Sequence, residues 1–386
     1  MKRHYFDYNS TTPVAPEVLR AMLPYLEQGY GNASSIHTFG QQARSGVERA
    51  RRQVAALLNA KPAEIVFTSG GTEADNLAIL GAVYGSGKPA KHVITSTIEH
   101  PAVLNTCRRL ESRGVAVTWL SGGSRGVVSV EDVRKALRPE TVLISIMHAN
   151  NELGTVQPIA GIARLARGSG IPFHTDGVQS AGKIATDVQQ LGVDLFALSG
   201  HKIYGPQGVG ALYVRKGTVL EPVLFGGSHE RGRRPGTENV PGIVGLGEAA
   251  ALAHRDLDSE GRRLSAMRDR LQESVLARIE SAVVNGDGVE RTPNTTNIRF
   301  DHIEGEAMVI ALDLKGVAVS SGAACSSGAV KPSHVLTAIG LSTQQAKSSI
   351  RFSLGKKTTD EDVDALLEAV PSVVAHLRKL SPAYAG

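Results

Sequence analysis

The sequence holds two cysteines in 386 residues, too few for a disulfide framework, and neither stands at the paired spacing of a metal-ligand motif. A cysteine with a role here therefore acts as a thiol. Aromatic residues make up only 4%, with a single tryptophan, so burial must lean on Val, Leu, Ile and Ala. No run of about 20 apolar residues is available to span a bilayer. Met1-Lys2-Arg3-His4-Tyr5-Phe6-Asp7 lacks the apolar centre of a signal peptide, so a cytoplasmic protein without membrane contact is expected. Nor is there a basic block with interleaved aromatics. The net charge of +5 is spread over 42 basic and 37 acidic residues, which mildly favours acidic small molecules and gives no reason to expect nucleic acid.

A chain of this length exceeds one ordinary core, so a large domain with a smaller companion is expected. Between about residues 64 and 215, short apolar runs alternate with helical patterns, as in stacked βαβ units around a mostly parallel sheet. Seven strands are expected: Glu64 to Thr68, His92 to Ser96, Val115 to Leu120, Val142 to Met147, Ile171 to Thr175, Asp194 to Leu198 and Gly210 to Val214. Ala43, Val47, Ala50, Val54 and Leu57 mark a helix before them, with Arg49 and Arg52 on a solvated face. A second helical stripe runs from Leu264 to Ile279, and a last helix, about Asp360 to Leu380, carries Pro371, where a kink is expected. The expected division is 14–250 for the large α/β domain, and 1–13 with 251–386 for a small α+β domain.

Parallel sheets bind ligands beyond the carboxyl ends of their strands, and polar residues stand at those ends repeatedly here. Thr68-Ser69-Gly70-Gly71-Thr72-Glu73 places two glycines and a hydroxyl before a helix, which makes either an anion cup of free N–H groups or an ordinary cap. His100 follows one strand, and Asn150-Asn151 ends another. Asp176 with Gln179 follows a third; a carboxylate there can pair with a ring nitrogen or cap a helix. The sharpest feature is Ser199-Gly200-His201-Lys202, which sets a lysine just past a buried strand, where burial can depress its pKa and make it a nucleophile or base. An anion cup, a carboxylate and a lysine at successive strand ends are the parts of a pyridoxal phosphate site.

With these residues in place, the sequence resembles the cysteine desulfurases of the NifS/IscS type, class V members of the fold type I pyridoxal phosphate enzymes. The similarity extends from Phe6-Asp7-Tyr8-Asn9-Ser10 to Arg351-Phe352-Ser353-Leu354-Gly355. It includes Gly31-Asn32-Ala33-Ser34-Ser35-Ile36-His37, Ser69-Gly70-Gly71-Thr72-Glu73, Arg234-Pro235-Gly236-Thr237-Glu238-Asn239 and Ser320 to Gly328. The resemblance implies that Lys202 binds the cofactor's aldehyde carbon, Asp176 partners its ring nitrogen, Gln179 donates to its phenolic oxygen and His100 stacks on the ring. It implies that Gly71, Thr72, Ser199 and His201 hold the phosphate, that Thr237 enters a neighbouring subunit's phosphate site in a homodimer, and that Asn151 serves cofactor and substrate. Asn32, His37 and Arg351 are implied as substrate contacts, Arg351 because a guanidinium fork matches a carboxylate.

Cys107 shares a helical face with Val103, Leu104 and Leu110 and is expected to be a buried hydrophobe. Cys325 has no such stripe; it lies among Ser, Gly and Ala, a composition suited to a loop that swings. The resemblance makes Cys325 the nucleophile that takes sulfur from L-cysteine as a persulfide, with Lys202 removing the α-proton and His100 handling a proton near the sulfur. The length of Ser326 to Pro332 places the chain with the NifS/IscS group. The implied partner is a sulfur acceptor such as an iron–sulfur scaffold, with no metal site beyond iron–sulfur contact at Cys325. The tail ends at Gly386 soon after the last helix, where some relatives extend to reach a scaffold, so docking by that route is not expected. Two alternatives stand beside this: another class V enzyme, such as a selenocysteine lyase or transaminase, and a non-catalytic sulfur-transfer partner.

Overall fold

The computed structural model describes residues 2–321 and 331–380, so Cys325 lies outside the described residues. Near the amino terminus a two-residue strand, β1 (His4–Tyr5), precedes the helices Pro16–Glu27 and Thr38–Leu57. The main sheet then forms from β2 (Ile65–Thr68), β3 (His92–Ser96), β4 (Ala116–Leu120), β5 (Thr141–Ser145), β6 (Phe173–Asp176), β7 (Leu195–Ser199) and β8 (Gly210–Val214). Their order is β2-β8-β7-β6-β5-β3-β4, parallel throughout except that β8 runs antiparallel to both β2 and β7. All seven expected strands are present, with ends shifted by up to two residues.

Most of these strands are buried along their full length because helices cover both faces. One hydrophobic cluster joins residues such as Phe67, Ile94, Phe173 and Phe196 to the helices Thr38–Leu57 and Val240–Arg278. The other face buries Val66, Val93, Leu143 and Leu212 against Gly71–Gly85 and Pro101–Glu111, and Cys107 is fully buried there as expected. Arg49 and Arg52 are exposed as expected, whereas Arg51 between them is buried. It is 4% exposed, and its guanidinium forks onto Glu230 with both contacts at 2.8 Å.

The smaller domain holds β9 (Ala282–Val284), β10 (Thr295–Phe300), β11 (Val317–Ala318) and β12 (Ser349–Ser353). Its antiparallel sheet has the order β12-β10-β9, while β11 pairs with β1. The helix Val240–Arg278 is longer than the stripe at Leu264 announces; its first part packs on the main sheet's cluster and its last part, from Leu264, on a second cluster with Phe300, Phe352 and Val363. The last helix, Asp360–Leu380, continues as one element through Pro371. Among the described residues no helix is long and apolar enough to cross a membrane.

Candidate active site

The carboxyl ends of β5, β6 and β7 open on a cavity of about 400 Å³, lined among others by Thr72, His100, Asp176, Gln179, Lys202 and Arg351. Gly71, Asn151, Ser199 and His201 also line it, so most of the residues expected from sequence converge there. On one wall the helix Gly71–Gly85 begins. Its cap is Gly70, which has no side chain to satisfy the first N–H groups, so these remain as donors with the positive end of the helix dipole behind them. A Cβ on Gly71 would come 2.7 Å from Val178 Cγ2, so that residue must be glycine for the turn to close against the Asp176 segment.

Asp176 ends β6 and is 6% exposed. Its Oδ1 accepts the Val178 main-chain N–H at 2.9 Å, which fixes the carboxyl at the head of the cavity. Burial raises its pKa, while His100 and Lys202 pull it back down. A buried carboxyl in this position is stabilised as an anion by any cation that binds against it in the cavity. The following residue, Gly177, lies so close to Phe196 that an added Cβ would fall within the ring.

His100 caps the helix Pro101–Glu111, its Nδ1 accepting the Ala102 N–H at 3.2 Å, which leaves Nε2 to carry the proton. Burial lowers its pKa, although the ring surface itself opens on the cavity. Asp75, one turn into the Gly71–Gly85 helix, was not singled out in the sequence. Ligand atoms of Asp75, His100 and Asp176 lie within 4.8 Å of one another, and burial next to Asp176 raises the Asp75 pKa well above the usual range. Two buried carboxyls this close resist ionising together.

Lys202 follows β7 on a short 3-10 turn, Gly200–Lys202. Tyr204 just beyond has φ +67°, an uncommon conformation for a bulky residue, and it is held by the Thr12 hydroxyl and by its own hydroxyl on the Lys356 N–H. Burial, aided by the nearby Arg351, lowers the Lys202 pKa to about 8. Its Nζ donates to the main-chain carbonyls of Asn9 and Ser10 at 2.6 and 2.7 Å. His201 Nδ1 lies 3.0 Å from the Thr11 hydroxyl. The segment Asn9 to Thr12 thus forms the floor of the site, a part that its residue types do not announce.

Arg351 on β12 reaches in from the smaller domain. Its Nη1 donates to the Asn151 carbonyl at 2.9 Å, and Nη2 to Asp7 and Ser10 at 2.6 and 2.8 Å. Its Nε is buried without a partner. Asn32, His37 and Thr237 do not line this cavity and are exposed on the chain. Asn32 accepts the Ser34 N–H and His37 caps the helix Thr38–Leu57, so both have a local structural part.

The residues present suit pyridoxal phosphate: an N-terminal helix turn for its phosphate, a buried acid for its ring nitrogen and an amine of depressed pKa for its aldehyde. Comparison with known proteins agrees. Residues 4–366 match the family model for class-V aminotransferases. The chain is 48% identical over 383 residues to the cysteine desulfurase IscS of Dictyoglomus turgidum, covering 99% of this chain and 97% of the relative. It is 50% identical over 378 residues to a cysteine desulfurase of Nostoc, covering 98% and 94%. Among solved structures, a NifS-like protein superposes with a TM-score of 0.91 at 37% identity, covering 97% of this chain and all of that one. A second, described as SspA in complex with cysteine, gives a TM-score of 0.80 at 41% identity, covering 91% and 98%.

Proposed function

The chain belongs to the class-V aminotransferase family and within it to the cysteine desulfurases of the IscS and NifS type, and from that premise we infer which of its residues hold the cofactor and carry the sulfur. It is a pyridoxal-phosphate-dependent enzyme that takes sulfur from L-cysteine and hands it to an acceptor. Gly71, Thr72, Ser199 and His201 would hold the phosphate, Asp176 the ring nitrogen and Gln179 the phenolic oxygen, with His100 against the ring and Asn151 beside it. When bound, the cofactor supplies an aldehyde for amines and a protonated ring that accepts the electron pair released at the substrate Cα.

Arg351 binds the substrate carboxylate, with Asn151 fixing one arm of its guanidinium. The Lys202 Nζ, neutral above a pKa of about 8, takes the proton from the substrate Cα. Cys325 as thiolate would attack the substrate Sγ: an S–S bond forms, the C–S bond breaks and its electron pair stays with the carbon fragment, which takes up one proton at Cβ and regains one at Cα from Lys202 to become alanine. His100, with Nδ1 occupied by the Ala102 N–H, would use its Nε2–H to exchange a proton beside that sulfur. Cys107, the other cysteine, is excluded from this role because burial in the apolar layer pushes its pKa to about 12. Thr237, exposed on its own chain, is read as completing the site of a second copy, which makes the enzyme a homodimer; Asn32 and His37 belong to the same edge. An iron–sulfur scaffold in the cytoplasm is the proposed acceptor.

The observation that carries the assignment is that Lys202, Asp176 and the open start of the Gly71–Gly85 helix share one cavity. Borohydride reduction of the holoenzyme followed by peptide mapping tests it. The cofactor should be fixed on Lys202; recovery on Lys183, the other half-buried amine beside the cavity, would overturn the assignment.

A further inference from the structure

Lys183 is a half-buried lysine that the reaction does not use. It follows Gln179 by one helical turn, and its Nζ donates to Gln179 Oε1 at 2.6 Å and to Asn9 Oδ1 at 3.0 Å. Among the described residues no carboxylate accepts from it: its hydrogen bonds go to two amide oxygens. Burial and the neighbouring charges of Lys202 and Arg351 pull its pKa well below the ordinary value.

The consequence lies in the amides. A primary amide can be turned end for end with little change in shape, and only its partners decide which end is the donor. A lysine amine has at least two N–H donors, and here both meet amide oxygens. Gln179 must therefore present Nε2 on its other side, where it donates to the Asn9 main-chain carbonyl at 2.9 Å, an oxygen that also accepts from Lys202. The same pin turns Asn9, whose Nδ2 then donates to Thr295 Oγ1 at 2.8 Å and to the Asn151 carbonyl at 3.1 Å. Asn294 Nδ2 also donates to Asn9 Oδ1, at 3.0 Å, which confirms that this end is the oxygen.

We propose that Lys183 is a positioning residue that fixes the donor end of Gln179 toward the cavity, so that Gln179 is held ready to donate to the cofactor's phenolic oxygen. This rests on the reading of Gln179 given above. A side chain that accepted hydrogen bonds, or none at all, at position 183 would leave the Gln179 amide free to turn its oxygen inward, where it repels an acceptor.

Cofactor release from holoenzyme tests this, followed by loss of the visible band after dilution into a trap for free pyridoxal phosphate. Lys183→Met and Gln179→Leu should each speed release by about tenfold, the worth of one hydrogen bond in a buried site. The double variant should release no faster than Gln179→Leu alone, since Lys183 acts through Gln179. Lys183→Gln, which keeps one amide donor, should fall between wild type and Lys183→Met, and remains informative if Lys183→Met does not fold. Wild-type release from both Lys183 variants overturns the proposal, as does a full further tenfold in the double variant. Wild-type release from Gln179→Leu removes the reading of Gln179 itself and the proposal with it.

Discussion

Arg351 Nη2 stands 2.6 Å from Asp7 Oδ1, joining a strand of the smaller domain to a segment near the amino terminus at the edge of the cavity. The side chains are 5% and 20% exposed, so water screens this pair poorly and the guanidinium is held in one orientation. With Nη1 on the Asn151 carbonyl and Nη2 on Asp7 and Ser10, Arg351 is pinned as a lining residue of the cavity.

A lysine cannot reproduce that fork. Arg351→Lys should raise the KM for cysteine by about ten- to a hundredfold, with a smaller change in kcat, because the lost contact is made to the bound substrate before any chemistry. Steady-state sulfide release checks this, and an unchanged KM would remove Arg351 from carboxylate binding.

The depressed pKa of Lys202 makes a prediction about pH. The amine that captures the cofactor must be unprotonated, and its pKa lies near 8 rather than at the ordinary lysine value. Capture of pyridoxal phosphate by the apoenzyme should therefore accelerate as pH rises through about 8 and level off above it. Arg351 contributes to the depression, so Arg351→Gln should move the rise to higher pH. A rise centred near 10 in the unaltered protein would contradict this account.

Gly177 offers a stability test beside the chemistry. Since Phe196 occupies the space a Cβ needs, Gly177→Ala must displace either the ring or the end of β6. A loss of about 1–3 kcal/mol in unfolding free energy is expected, with weakened cofactor retention because Asp176 moves with the backbone. Denaturant unfolding with parallel absorbance of the bound cofactor reads both.

The main sheet was legible in the sequence because its strands are buried on both faces and read as short apolar runs. Their ends were less so. Asp176 and Ser199 belong to their strands, because ladder pairing depends on the main chain and not on side-chain polarity. The start of the helix Val240–Arg278 carries no polar stripe, being buried almost all round, and its glycines mask it further. Gly247 is needed for contact, since a Cβ there would lie 2.5 Å from the Ala50 Cα of the neighbouring helix. Arg51, Asp75 and Lys183 look in sequence like solvated charges. Only the fold brings Glu230 to the first, Asp176 to the second and two amide oxygens to the third. Lys202, Asp176 and His100 were legible because each stands at or just past the end of an apolar run, whereas Asn9 and Ser10 enter the site through main-chain carbonyls, which leave no mark on residue type.

The account turns on which sulfur atom receives the substrate's sulfur. Holoenzyme treated with L-cysteine under anaerobic conditions, alkylated and digested, should show the mass of one added sulfur on the peptide containing Cys325 and none on that containing Cys107. Cys325→Ala should then release no sulfide while keeping its visible absorbance. Added sulfur on Cys107, or undiminished turnover by Cys325→Ala, would contradict the assignment.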